Sequence, residues 1–385
     1  MSETDDEQPS DSSVGWREPL VAFGIVVASL GLLSGLSMVW PPVANHILAL
    51  AAVVFVAVPF VILRRQNADF ERFGIDLEKL PLRHVALALG VTLVVFPLYA
   101  VGHHLWETQF EDRQFHFEWD NYRQWPVELD TPSVVEPDRE TLQVRTVSDD
   151  LLIEWSYPEL DKPTVLSTSA DEPFVWGRTH GMSVKPTADS PKTADGTEKI
   201  ATEWLANPES PGDARLLLSV LDQPDNQPLP HELTLQLEEL DHHTAPEVLV
   251  GGQAQPADEP IELRRTHWWL LLWALTHLIL VALPEEYFYR GYLQTRIGEL
   301  FGDEQRDKPV TFLGFTRANW LTSGFFALGH VLVPVGGVFA PARAAVFFPS
   351  LLFGWLRERT GSIIAPTVFH AAANMMVLVV AVHYF

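Results

Sequence analysis

The sequence predicts an α-helical polytopic membrane protein of about seven transmembrane helices, with a β-rich extracytoplasmic domain inserted between the third and the fourth. Two observations lead to this reading. Of 385 residues 47% are hydrophobic, yet the formal net charge is −24, and the mean hydropathy of +0.07 is high for a water-soluble chain. Charge and apolarity must therefore occupy different stretches. From Trp106 to Thr266 there are 33 Asp and Glu against 12 Lys and Arg, so this stretch carries 21 of the 24 net negative charges.

Residues 1–18, which open "MSETDDEQPSDSSVG", are polar and acidic with no basic n-region, the composition of a disordered tail and not of a cleavable signal peptide. Three N-terminal transmembrane helices are expected within 19–105, from apolar runs at Pro19–Trp40, at His46–Leu63 and from His84 to about Leu105. Each is near the ~20 residues that cross ~30 Å of hydrocarbon as a helix. The segment 106–266 changes character. Its alternating stretches "TLQVRTV", "LLIEWSY" and "HELTLQLEEL", bounded by Pro and Asp clusters, predict half-buried strands and a small sandwich. It contains no catalytic motif.

The last domain, 267–385, returns to apolar runs: "THWWLLLWALTHLILVALPEE", "WLTSGFFALGHVLVPVGG", "AAVFFPSLLFGWL" and "SIIAPTVFHAAANMMVLVVAVHYF". The third of these is short and interrupted by Pro349. Pro284 removes a backbone donor and is expected to kink the fourth helix just before Glu285, a distortion tolerated beside protein or a wet cavity.

Lys and Arg in the short loops set the orientation. Arg64, Arg65, Arg72, Lys79 and Arg83 follow the second run; Arg290, Arg296, Arg306, Lys308 and Arg317 follow the fourth; Arg357 and Arg359 follow the sixth. A cytoplasmic N-terminus puts all of these inside and the acidic insert and C-terminus outside. Arg264, Arg265 and Arg343 are the exceptions. The expected location is a prokaryotic plasma membrane.

Composition excludes some chemistry. The chain has no cysteine, which removes disulfides, zinc–thiolate sites and cysteine nucleophiles. Scarce Lys and Arg argue against nucleic-acid partners, whose phosphates need basic contacts.

Ionisable side chains inside membrane helices are expensive, so each is a functional candidate. Glu285, Glu286 and Arg290 lie in the fourth run, Phe326 and His330 in the fifth, His370 and Asn374 in the seventh. Residues four apart share a helix face. Bland readings exist for each one: Glu286 and Arg290 suit a self-neutralising pair, and a lone His or Asn often bonds between helices. Taken jointly, a carboxylate, two histidines and an asparagine on three helices point to one polar pocket. His103, His104, His267 and His277 lack such company and read as packing or interfacial residues.

The stretches "EEYFYR", "FALGH" and "HAAAN" resemble the EExxxR, FxxxH and HxxxN motifs of the CPBP intramembrane endopeptidases, which include CAAX-prenyl proteases and bacteriocin-processing proteins. The resemblance covers about Thr266–Phe385. It implies a glutamic intramembrane endopeptidase with Glu285 as general base, His330 holding or activating the water, and His370 and Asn374 as oxyanion donors. Glu286, Arg290 and Phe326 would support them, with Glu286 and Arg290 orienting Glu285 and closing the helix end. No cofactor is then expected. The alternatives are a zinc protease with Glu285, His330 and His370 as ligands, and a non-catalytic membrane scaffold or immunity protein of the same fold. The expected partners are the lipid bilayer and a membrane-anchored protein or peptide substrate. The outward insert points to an extracytoplasmic partner, a setting that fits the myxosortase-like branch of the family.

Overall fold

The structure is a computed structural model that describes residues 15–75, 82–117, 119–130, 140–147, 150–157, 164–172, 174–177, 182–186, 200–206, 212–219, 229–238, 246–302 and 311–384. Residues 1–14 of the expected tail, Lys79, Arg306 and Lys308 lie outside them. The chain divides into two compact units, Met1–Gln114 with Leu272–Ala381, and Phe115–Leu271 with Val382–Phe385.

The first unit is helical. Five helices are long and apolar enough to cross a membrane: α1 (Arg17–Ser37), α2 (Ile47–Arg65), α3 (Leu82–Gln109), α4 (Trp269–Phe301) and, at the C-terminal end, α7 (Ile364–Ala381). The other two expected spans form α5 (Arg317–Leu332), of 16 residues, and α6 (Phe347–Thr360), of 14. Neither reaches the ~20 residues of a full crossing, so length alone identifies five spans and not seven. This is an inside-out protein: only 6% of the most apolar stretch of α3 is buried within it, and Leu93, Val94 and Leu98 are exposed. Such a surface is stable only against lipid. The protein is a membrane protein.

α1 begins at Arg17, inside the expected tail. Glu18 in its first turn is tied down by Arg296 at 3.1 Å and by the hydroxyl of Tyr292 at 3.1 Å. α4 does not end at Arg290 but continues to Phe301. Two wide π-helical stretches, His277–Ala282 and Tyr287–Leu293, flank the short α-turn that holds Pro284. Pro284 therefore sits where the hydrogen bonding changes register between the two π-helical stretches. α4 is the central element, packed on α2, α5, α6 and α7, while α7 also lies along α3. α5 and α6 meet closely at Gly354, where any Cβ would overlap the side chain of Asn319. Asn319 itself donates to the Leu351 carbonyl at 2.9 Å and accepts from Ser323 at 3.2 Å.

The second unit is β-rich. One five-stranded sheet has the order β6-β2-β1-β8-β9 and the other β10-β7-β3-β5-β4. Their ranges are β1 Thr141–Val147, β2 Asp150–Tyr157, β3 Val165–Ala170, β4 Met182–Pro186, β5 Ile200–Ala206, β6 Gly212–Leu218, β7 Glu232–Glu238, β8 Glu247–Val250, β9 Gln253–Gln255 and β10 Ile261–Arg264. All neighbours run antiparallel except β1 and β8, which are parallel. Alternate residues of both sheets, among them Val144, Ile153, Trp155, Leu166, Leu216 and Leu235, enter one apolar core, the outcome that period-two alternation dictates.

The chain's last residues join this unit. Tyr384 bridges to Phe115, and the Tyr122 hydroxyl lies 2.5 Å from Nε2 of buried His383. Burial holds the His383 ring below its ordinary value of 6.5. Between that lowered value and 6.5 the unfolded chain binds a proton that the folded chain does not, so stability is full above pH 6.5 and falls as pH drops through the window. Nearby, burial pushes Asp120 up, but His231 at 3.0 Å and Arg123 at 2.9 Å outweigh it and hold the carboxyl below its usual range. Its contribution is lost only at more acid pH. The melting temperature of the full-length protein in detergent should therefore fall between pH 7.5 and 5, and His383→Gln should flatten that fall. An unchanged pH slope in the variant would show that the ring does not titrate on unfolding.

Candidate active site

The site is built around α4. Glu286 and Arg290 lie one turn apart and expose no side-chain surface. Nε of Arg290 donates to Oε2 of Glu286 at 3.2 Å, and Nη2 donates to the hydroxyl of Ser350 on α6. The guanidinium also lies over the rings of Phe326 and Phe353, 5.5 and 5.8 Å from their centroids. Oε1 of Glu286 meets Nδ1 of His370 on α7 at 2.9 Å. A carboxylate only accepts, so Nδ1 carries the hydrogen and Nε2 is the free nitrogen. The His370 ring stacks on Phe353, centroids 4.6 Å apart and planes 17° from parallel, and Phe326 stands edge-on to it at 5.8 Å. One carboxylate and one guanidinium thus link α4, α6 and α7, with Phe326 adding α5.

Glu285, next in sequence, points elsewhere on the helix. Its Oε2 is buried and has no hydrogen-bond partner. With His330 and Tyr289 it lines a cavity of about 390 Å³ whose walls are mostly apolar side chains of α1 and α2. Nδ1 of His330 is 2.9 Å from the Phe326 carbonyl. A carbonyl also only accepts, so this ring too presents an unoccupied Nε2. Gly329 is required here, because a Cβ at that position would lie 2.5 Å from the Tyr289 hydroxyl.

The residues that the sequence singled out are therefore sorted into two groups. Glu285 and His330 share the cavity, while Glu286, Arg290, Phe326 and His370 form the buried network beside it. Glu286 and Arg290 do not close a helix end; they hold His370. Asn374, half-exposed one turn beyond His370, makes no side-chain hydrogen bond among the described residues. Three residues had no role in the sequence reading. Ser350 and Phe353 complete the Arg290 and His370 contacts, and the only local sign of them was a polar residue inside a Phe-rich run. His277, expected to be a packing residue, bonds through Nδ1 to the Trp273 carbonyl at 3.0 Å. Among the described residues no group of three His, Asp or Glu side chains converges as a metal site.

Breaking a buried pair leaves an uncompensated charge in a medium that solvates it poorly. Arg290→Met should lower stability by about 3–5 kcal/mol, measured by thermal unfolding in detergent. Glu285→Gln should change it little, since Glu285 has no partner to lose. Equal losses in the two variants would contradict this division.

Residues 267–376 match the family model described as type II CAAX prenyl endopeptidase Rce1-like. No curated protein and no solved structure matches the chain. The matched segment begins just before α4 and ends within α7, so it takes in every residue of the buried network and both Glu285 and His330 of the cavity. Residues 267–376 are an Rce1-like domain of the CPBP family, a family of proteases.

Proposed function

We propose that the chain is an intramembrane endopeptidase that hydrolyses peptide bonds of membrane-associated substrates with a water activated by Glu285. One observation carries this reading beyond the family match: of two adjacent glutamates, Glu286 is held on both oxygens by Arg290 and His370, whereas Glu285 presents a buried, unpartnered oxygen to the cavity that His330 also lines. A carboxylate without a partner in a largely apolar cavity is the group free to take a proton from water.

In the proposed reaction the water oxygen attacks the scissile carbonyl carbon while Glu285 accepts its proton, with Nε2 of His330 accepting a hydrogen bond from the same water. The C=O electron pair moves onto oxygen. The Nε2–H of His370 and the Asn374 amide donate to that oxyanion. As the C–N bond breaks, Glu285 returns the proton to the departing amine, leaving a free amine and a new carboxyl group. Phe326 and Phe353 fix the plane of the His370 ring, so their part is positioning.

For Glu285→Gln, kcat on a peptide substrate should fall by about 10² to 10⁴ in protein with an unchanged melting temperature. Activity within a few-fold of wild type would refute the base assignment. A loss reversed by zinc after chelation would instead favour metal catalysis.

The proposed setting is a prokaryotic plasma membrane, with the N-terminus in the cytoplasm and the β-rich unit and C-terminus outside. The seven-span reading adds α5 and α6 to the five long helices, and the distribution of Lys and Arg in the loops supports it. Because the chain has no cysteine, single cysteines report on sidedness cleanly. A cysteine at exposed Asp258 should react with an impermeant maleimide in intact spheroplasts, and one at exposed Glu71 only after permeabilisation. The opposite pattern would invert the topology.

A further inference from the structure

The cavity that Glu285 and His330 line holds one more charged side chain. Arg343, from the 3-10 turn Pro341–Val346, also lines it. Its Nη1 donates to the Val333 carbonyl at 3.0 Å, which holds the guanidinium at the cavity wall. Its remaining N–H groups meet no carboxylate among the described residues. The two serine hydroxyls of the cavity are engaged, Ser34 with the Pro334 carbonyl at 2.5 Å and Ser37 with the Ser34 carbonyl at 2.8 Å. Most of the remaining cavity lining is apolar, including Val27, Leu30, Ile47, Leu48 and Phe55. Arg343 is also one of the three basic residues that the orientation rule leaves on the outer side, away from the anionic face that normally retains them.

A guanidinium held in an apolar cavity with free donors is set up for a planar anion, because its fork matches both oxygens of a carboxylate. We propose that Arg343 is a specificity-determining residue that binds a carboxylate of the substrate. The substrate is then an apolar peptide segment with a carboxylate one cavity-width from the bond presented to Glu285. This rests on reading the cavity as the substrate site. The carboxylate is either a chain terminus or an Asp or Glu side chain, and Arg343 binds the same chemistry in both.

Binding separates this inference from turnover. Full-length Glu285→Gln protein in detergent is titrated with three fluorescent peptides of one apolar sequence: a free C-terminal carboxylate without acidic side chains, its amide, and the amide carrying one internal Glu. At least one carboxylate peptide should bind about ten- to a hundredfold more tightly than the plain amide, the range for hydrogen bonds to a charged group. Whichever does so names the source. Arg343→Gln should abolish the advantage and Arg343→Lys should retain part of it. Arg343→Glu should transfer the preference to an amidated peptide carrying Lys. Equal binding of all three peptides, or an equal loss for all three in Arg343→Gln, overturns the proposal and leaves Arg343 as a brace for the Val333 carbonyl. Cleavage by the Glu285 enzyme is measured separately: selective binding without hydrolysis would defeat the proteolytic reading and leave the carboxylate site standing.

Discussion

The helical unit depends on a single buried carboxylate. Glu286 has no contact with solvent, and each of its oxygens is engaged by a different partner, Arg290 on its own helix and His370 on α7. In a low-dielectric interior neither the carboxylate nor the guanidinium is tolerable alone, so the two must stay together. Through Ser350 and the faces of Phe326 and Phe353, the pair also fixes α5 and α6. Orientation of the His370 ring is a consequence of this packing, because a ring tied at Nδ1 and stacked on Phe353 has only Nε2 left to offer.

That constraint explains how two neighbouring glutamates come to differ. Successive residues on a helix point about 100° apart, so only one of them can face the α6–α7 network. The other, Glu285, faces α1 and α2, whose contribution to the cavity is almost wholly apolar. A membrane protein can maintain such a contrast because lipid already covers the outward apolar surface of α1 and α3, leaving the interior free to hold the polar groups. The two π-helical stretches on either side of Pro284 belong to the same arrangement. They widen α4 where it carries His277 and Arg290, on either side of the turn that holds Glu285 and Glu286.

Much of the site was legible in the sequence because its chemistry is local in register. Glu286 and Arg290, Phe326 and His330, and His370 and Asn374 are each four residues apart, and ionisable groups in apolar runs stand out. What joins one helix to another was not legible. Nothing in the spacing says that Glu286 pairs with His370 across 84 positions or that Ser350 receives Arg290. Those depend on helix rotation and tilt, which packing decides. Hydropathy likewise could not tell a full crossing from the shorter helices α5 and α6, because their apolar runs continue into loop at Val333 and into the turn before Phe347. In the β-rich unit, alternation located β1, β2 and β7, but the parallel pairing of β1 with β8 joins segments about a hundred residues apart. The recruitment of His383 and Tyr384 into that unit had no local signal at all.

The central claim is that Glu285 acts on water as a base and that neither glutamate attacks the substrate. Single-turnover hydrolysis in H₂¹⁸O tests this most directly, with mass spectrometry of both the product and the enzyme. A base mechanism places one ¹⁸O atom in the new carboxyl group of the peptide product and none in the protein. Label in the side chain of Glu285 or Glu286 would reveal an acyl-enzyme anhydride and would contradict the account.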